Sequence, residues 1–94
     1  MPTVHLPAAL RGYANGQRLL AVGVGAEPAT VGAVLEALGR DHPGVRQRVL
    51  DERGDLRRHV NVFVNGESVR FLAGLATPVG ERDELWIIPS ISGG

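Results

Sequence analysis

The chain has 94 residues and a formal net charge of zero, with ten acidic residues and ten basic residues, all of the latter arginine. A chain of this length builds one small domain and leaves no room for a separate catalytic domain. The balanced charge offers neither a basic stripe for nucleic acid nor an acidic tail, and the absence of cysteine excludes disulfides and thiolate metal sites.

Two strands are predicted at the start of the chain. Residues 3–6 and residues 18–24 each carry apolar side chains at every second position, which is the period of a half-buried strand. Residues 7–17, between them, are predicted to form a loop that contains the turn-forming pair Asn15-Gly16. This hairpin-like return favours an antiparallel pairing of the two strands.

A change of period marks the clear helix of the sequence. Its apolar residues follow the spacing i, i+3, i+4 and i+7 of a helix with one buried stripe. These residues are Val31, Val34, Leu35 and Leu38. The Thr30 hydroxyl is expected to cap the helix by accepting a backbone N–H, and Gly39 or Pro43-Gly44 is expected to end it. Residues 45–50 indicate a short second helical turn, and the charged residues 51–59 indicate an exposed loop.

Three further strands are predicted in the second half. Residues 60–64 alternate strictly, Asn65-Gly66 supplies a turn with positive φ, residues 68–71 return, and residues 84–88 form a last strand of high β-propensity. Two strands, one helix and three strands, in that order, predict an α+β protein with the β-grasp fold. Such a fold has a mixed sheet of about five strands with one main helix packed on one face.

A tail is predicted behind the folded domain, which is expected to span residues 1–89. Pro89 has no N–H with which to extend the sheet, so the chain is expected to leave it there. Residues 90–94 would then form a flexible tail that reaches at most roughly 16 to 18 Å. The tail is predicted to thread into a partner's site, where Ile91 either fixes its register or is an ordinary exposed residue. Its residues are Ser90, Ile91, Ser92, Gly93 and Gly94.

Strand alternation predicts a docking surface. If the valines of residues 60–64 face the helix, Phe63 faces away from it, and if Leu85 faces the helix, Trp86 and Ile88 face away. The last strand of a β-grasp sheet is central and lies beside the third strand, so these three side chains would form one exposed apolar patch. Exposed apolar patches with a tryptophan are typical of protein interfaces. Alternatively, Trp86 simply covers the small sheet or packs under a loop.

The sequence shows no side-chain pattern typical of an enzyme or a metal site. His5, His42 and His59 lack ligand spacing, and neither a nucleophile elbow nor a phosphate-binding glycine loop occurs. The first residues show neither a charged leader nor an apolar core, and no run approaches the roughly 20 apolar residues that span a bilayer. We therefore expect a cytoplasmic protein that is not an enzyme and binds no metal, membrane or nucleic acid.

Several motifs together resemble a known family. They are the block Val60 to Glu67, the segment Gly74 to Thr77, the lead-in Gly80 to Trp86, and the ending from Pro89 to Gly93-Gly94. With the element order, they resemble the ubiquitin-like sulfur carriers of the ThiS/MoaD type over nearly the full length. The likeness is greatest to the CysO-type branch, which serves cysteine synthesis in actinobacteria.

The resemblance implies a function for Gly94. An adenylating enzyme of the ubiquitin-activating type would use ATP to convert the Gly94 carboxylate to an acyl-adenylate, and sulfide from a sulfur donor would then give a thiocarboxylate. The carrier would hold no cofactor and would act as a co-substrate. Its sulfur would pass to a synthase, and in cysteine synthesis a metal-dependent peptidase would release the product. We expect the free carrier to be a monomer.

Other functions are also compatible with a C-terminal Gly-Gly pair. Related carriers supply sulfur for thiamine thiazole, thiosugar and molybdopterin synthesis, and the chain alone does not choose among these acceptors. A ubiquitin-like modifier would instead join Gly94 to lysines of target proteins after the same activation. A third alternative is a β-grasp interaction module with an inert tail.

Overall fold

A five-stranded sheet forms the centre of the computed structural model, which describes residues 1–25 and 28–89. Within these residues the strands are β1 (Thr3–His5), β2 (Leu19–Ala21), β3 (Ala29–Thr30), β4 (Val60–Val64), β5 (Glu67–Ser68), β6 (Pro78–Val79) and β7 (Glu84–Pro89). The main sheet has the order β2-β1-β7-β4-β5. Strand β7 runs parallel to β1 and antiparallel to β4, so the sheet is mixed and its last strand is central, as predicted.

Helices cover one face of this sheet. In the same residues they are α1 (Ala8–Arg11), α2 (Val31–Asp41) and α3 (Pro43–Val49), with 3-10 turns at Gly12–Ala14, Val69–Phe71 and Gly74–Ala76. None of the helices in this described part of the chain has the length and apolarity to cross a membrane.

The predicted main helix is confirmed as α2. The Thr30 hydroxyl caps it by accepting a hydrogen bond from the Ala33 N–H at 3.1 Å, which satisfies one of the N–H groups that lack a partner within the helix. The apolar stripe of α2 packs on the sheet and joins one core with β1, β4 and β7. The deeply buried side chains of that core include Val4, Val34, Leu35, Val62 and Leu85.

The prediction of a plain loop over residues 7–17 was wrong. Helix α1 and the first 3-10 turn occupy this segment, because a helical path places Leu10 and Ala14, four residues apart, in the core. The predicted strand over residues 18–24 is shorter and spans Leu19–Ala21, since its partner β1 has only three residues. The antiparallel pairing of β1 and β2 is confirmed.

The possibility that Gly39 ends the main helix was wrong. Helix α2 continues to Asp41, and α3 begins at Pro43. The alternative prediction, that Pro43-Gly44 ends the main helix, therefore agrees with the structure. A Cβ on Gly39 would lie 2.7 Å from the Arg46 side chain of α3, so glycine here allows the two helices to approach closely. The predicted second helical turn is confirmed by α3.

The prediction that residues 68–71 form a strand was also mostly wrong. Strand β5 pairs with β4 only at Glu67–Ser68. The Ser68 hydroxyl then accepts a hydrogen bond from the Arg70 N–H and caps a 3-10 turn, because this path buries Val69 completely. A small second sheet of β3 and β6 was not predicted.

Candidate functional site

The two sides of β7 face different surroundings. Leu85 and Ile87 point into the core, with 0% and 2% of their surface exposed, whereas Trp86 and Ile88 are 44% and 43% exposed. This contrast follows from the period of two along a strand, because α2 packs against one face only. We call the side opposite α2 the open face.

The structure brings the three predicted docking residues together on the open face. Phe63 on β4 lies directly opposite Trp86 on β7, and Asn61 lies opposite Ile88. Trp86 and Ile88 are exposed and Phe63 is partly exposed. Phe63, Trp86 and Ile88 are called the apolar patch below. Its placement is as the alternation predicts, and its docking role stays a prediction.

Sequence reasoning missed two neighbours of the apolar patch. His5 on β1 lies beside Trp86 in the parallel pairing, and Leu19 on β2 lies opposite His5. One row of side chains therefore crosses four strands of the open face: Leu19, His5, Trp86 and Phe63. The alternation of β1 was the available signal, since it places His5 on the side opposite Val4. The sequence pattern of the histidines bears only on metal binding and does not indicate this contact.

His5 makes two close contacts with β7. Its imidazole ring stacks on the indole of Trp86, with ring centroids 3.6 Å apart and an angle of 5° between the planes. Its Nε2 atom lies 2.5 Å from Glu84 Oε1. Because a carboxylate only accepts hydrogen bonds, Nε2 is the donor in this contact.

The start of β7 is fixed by the turn after β4. The Asn65 backbone, with φ of 49°, adopts the left-handed conformation predicted for this turn. Its side-chain oxygen accepts from the Glu84 N–H at 2.9 Å, and its side-chain amide donates to Asp83 Oδ1 at 2.8 Å. Asp83 also accepts from the Gly80 N–H. This backbone bond and then the Asn65 amide hold the pKa of the Asp83 carboxyl below its ordinary value.

The other end of β7 leads toward the predicted tail. Pro89 is the last described residue and lies opposite Val60 of β4. The predicted tail residues lie outside the described part of the chain: Ser90, Ile91, Ser92, Gly93 and Gly94. The end of β7 is therefore the point of the described structure nearest in sequence to the Gly94 carboxylate.

A cleft of about 730 Å³ lies beside Pro89 and was not predicted. Its wall includes Leu10, Ile87 and the guanidinium of Arg48, which lies 3.7 Å above the ring of Tyr13.

Within residues 1–25 and 28–89, no group of three histidine, aspartate or glutamate side chains is placed to hold a metal ion.

Comparison with known proteins identifies the family. Residues 4–94 match the ThiS family. The sulfur carrier protein CysO of Mycobacterium tuberculosis is 39% identical over 94 aligned residues, which cover 98% of this chain and 97% of that protein. Small archaeal modifier protein 1 of Haloferax volcanii is 43% identical over 79 residues, which cover 84% of this chain and 85% of that protein.

A solved structure shows the same fold. A chain in the crystal structure of the Amycolatopsis orientalis BexX/CysO complex superposes with a TM-score of 0.88 and 34% identity, and the match covers 100% of both chains. With the sheet order and the packing of α2, this similarity establishes the ubiquitin-like β-grasp fold that the element order predicted.

Proposed function

The chain belongs to the ThiS family, and we propose that it is a sulfur carrier whose reacting group is the carboxylate of Gly94. The observation that carries this proposal is the similarity to a sulfur carrier protein over 98% of this chain and 97% of the relative. The family match also extends through residue 94, so it includes the Gly93-Gly94 pair.

The proposed chemistry takes place in two steps. In the first, a Gly94 carboxylate oxygen attacks the α-phosphorus of ATP, and pyrophosphate leaves. In the second, hydrosulfide from a sulfur donor attacks the carbonyl carbon of the acyl-adenylate, and AMP leaves with the electrons of the broken C–O bond. Loss of the proton on sulfur then gives the Gly94 thiocarboxylate. The second step needs the first because a free carboxylate is a poor electrophile, and a covalent intermediate divides one difficult reaction into two easier ones.

The carrier supplies the reacting carboxylate on a tail that can enter a partner's site, and we assign the catalysis to the partner enzymes. ATP is used in the site of an adenylating enzyme of the ubiquitin-activating type, and the carrier itself is a co-substrate without a bound cofactor. Glycines at positions 93 and 94 place no Cβ beside the reacting carbon. Residues 90–94, if extended, reach at most roughly 16 to 18 Å beyond Pro89, which allows a buried site to be entered.

We propose that the adenylating enzyme docks on the apolar patch. Trp86 and Ile88 lie on β7, the strand that ends one residue before the proposed tail. An enzyme that holds Gly94 therefore has the surface around this strand within its reach. An exposed tryptophan beside a partly exposed phenylalanine is typical of the residues that contribute most to protein interfaces.

Cysteine synthesis is the favoured use of the sulfur. The support is the similarity to proteins named CysO. The acceptor would be a cysteine synthase, followed by a metal-dependent peptidase, and a thiazole-synthase-like enzyme is an alternative acceptor. We place these reactions in the cytoplasm, where ATP is available, and expect the free carrier to be a monomer.

A second candidate function is protein modification. It is favoured by the similarity to small archaeal modifier protein 1. A modifier would form an amide bond between Gly94 and a lysine of a target protein. The absence of lysine in this chain means that it would not form chains of itself through side chains.

Pyrophosphate exchange tests the proposed chemistry. The full chain should support exchange of labelled pyrophosphate into ATP by the adenylating enzyme of the same organism, and deletion of Gly94 should abolish it. Mass spectrometry of the products then separates the two candidates, because a carrier gains a terminal sulfur. A modifier instead leaves residues 83–94 on target lysines after digestion with trypsin, since Arg82 is the last arginine of the chain. Exchange that persists without Gly94 would contradict both.

A further inference from the structure

The contacts of His5 place an ordered ring against the main exposed aromatic residue of the apolar patch. Trp86 is 44% exposed, and an indole this exposed samples several rotamers when nothing holds it. Here the imidazole of His5 lies flat against it at 3.6 Å. The side chain of His5 is only 17% exposed, so one side of the indole rests on a ring that is itself largely enclosed.

Glu84 anchors the imidazole in turn. Glu84 and Trp86 are two residues apart on β7 and therefore share the open face. The 2.5 Å contact between His5 Nε2 and Glu84 Oε1 fixes the rotation of the imidazole, and the flat stack transfers that orientation to the indole. Glu84 itself is positioned through its backbone N–H by Asn65.

We propose that His5 is a positioning residue that holds the Trp86 indole in its docking orientation for the adenylating enzyme. A side chain that is already ordered loses less conformational entropy on binding than one that must be immobilised. His5 therefore tightens docking and has no part in the proposed chemistry of the Gly94 carboxylate. This inference rests on the proposed function, since it takes the adenylating enzyme as the occupant of the open face.

The occupant follows from the position of the open face relative to Pro89, the residue before the predicted tail. Trp86 lies three residues before Pro89, and residues 90–94 reach at most roughly 16 to 18 Å beyond it. An enzyme that binds the end of this chain therefore has the open face within its reach. The apolar row from Leu19 to Phe63 around one histidine fits a partner surface that is apolar with a polar rim.

Near-ultraviolet circular dichroism tests the positioning directly, because Trp86 is the only tryptophan of the chain. We expect His5→Gln to weaken the indole band, and His5→Phe, which keeps a flat ring against the indole, to retain most of it. His42→Gln is the matched control, since His42 lies at the junction of α2 and α3, and it should leave the band unchanged. An unchanged band in a folded His5→Gln protein would overturn the proposal.

Kinetics of the adenylating enzyme tests the consequence for docking. In the pyrophosphate exchange assay, His5→Gln should raise the KM for the carrier roughly two- to tenfold and leave kcat unchanged, and His5→Phe should recover most of this loss. A weakened indole band with an unchanged KM would overturn the docking role. A fall in kcat alone would also overturn it, because positioning for docking acts before the chemistry.

The dichroism and kinetic experiments together distinguish failure of this inference from failure of the proposed function. If the wild-type chain supports no exchange, the proposed function fails, while the dichroism of His5→Gln still reports whether His5 orders the indole. If the open face instead pairs with a second copy, sedimentation equilibrium will show a wild-type dimer that His5→Gln weakens, with no change in KM. That result would overturn the inference.

Discussion

The two sides of strand β7 differ in what their side chains do. Leu85 and Ile87 are enclosed by the core, whereas Trp86 and Ile88 lie on the open face with over two fifths of their surface exposed. Both pairs lie on the same strand and lie opposite residues of β4. The comparison teaches that one strand can bury apolar side chains on one side, which stabilises the fold, and leave apolar area exposed on the other, which is the area that the proposed docking would use.

The adjacent isoleucines give the sharpest form of this comparison. Ile87→Ala should lower the free energy of unfolding by about 2 to 5 kcal/mol, because it leaves a cavity in a close-packed core. Ile88→Ala makes the same chemical change one residue later, on the open face, and should cost less than about 1 kcal/mol. Urea denaturation followed by far-ultraviolet circular dichroism measures both. Equal losses would mean that the two faces do not differ in packing.

Trp86→Ala tests the recognition side. We expect it to weaken binding of the adenylating enzyme by about 2 kcal/mol, or roughly thirtyfold in Kd, while the domain stays folded. Isothermal titration calorimetry gives the Kd. Phe71→Ala is a matched control, because Phe71 is an exposed aromatic residue outside the apolar patch, and it should leave the Kd unchanged. A folded Trp86→Ala protein with wild-type affinity would exclude the patch as the docking site.

Thr30→Ala tests stability that is independent of the open face. Loss of the hydroxyl that accepts from the Ala33 N–H should lower the free energy of unfolding by about 1 kcal/mol and should leave enzyme binding unchanged. Thr30→Ser keeps the hydroxyl and should retain most of the stability. A change in Kd with Thr30→Ala would show that stability and docking are coupled through the sheet.

Asp83→Ala tests the smallest expected effect, at the start of β7. The pKa of the Asp83 carboxyl is lowered by the Gly80 N–H and then by the Asn65 amide, so its stabilising contribution is present above the ordinary aspartate pKa. It is lost as the pH falls through the lowered value. Because the carboxyl is largely solvated, we expect less than about 1 kcal/mol at pH 7.

The pH dependence provides the check on this prediction. The difference in stability between wild type and Asp83→Ala should be largest at neutral pH and should shrink as the pH falls through the lowered pKa of the Asp83 carboxyl. Glu81→Ala, at an exposed position of the same turn, is the control and should show a much smaller difference. A difference that grows as the pH falls would contradict the assigned hydrogen bonds.

Much of the sheet and the helix α2 could be predicted from the sequence. Apolar residues recur every second position in a half-buried strand and about every 3.6 positions in a helix, and both spacings are visible in the sequence. The alternation of apolar residues over 60–64 and 84–88 is sufficient to predict that Phe63 and Trp86 share one face. The Asn65-Gly66 turn was also predictable, since positive φ favours these residues.

The features that could not be predicted from the sequence depend on contacts between residues that are far apart in the chain, or on elements too short to show a period. The stack of His5 on Trp86 requires the parallel pairing of β1 with β7, whose residues are about eighty positions apart in the chain. Helix α1 has only four residues and is too short to show a period. The 3-10 turn after Ser68 arises because Val69 is buried there, which no local pattern indicates.

The intact mass of the protein, isolated from its native host without reducing treatment, tests the central claim most directly. The account predicts a fraction of the chain heavier by the difference between one sulfur and one oxygen, with the extra mass located at Gly94 by fragmentation. This species should disappear after mild hydrolysis of the thiocarboxylate. Protein that never carries the added sulfur under conditions of active sulfur metabolism, and is found instead in amide linkage to lysines of other proteins, would contradict the account.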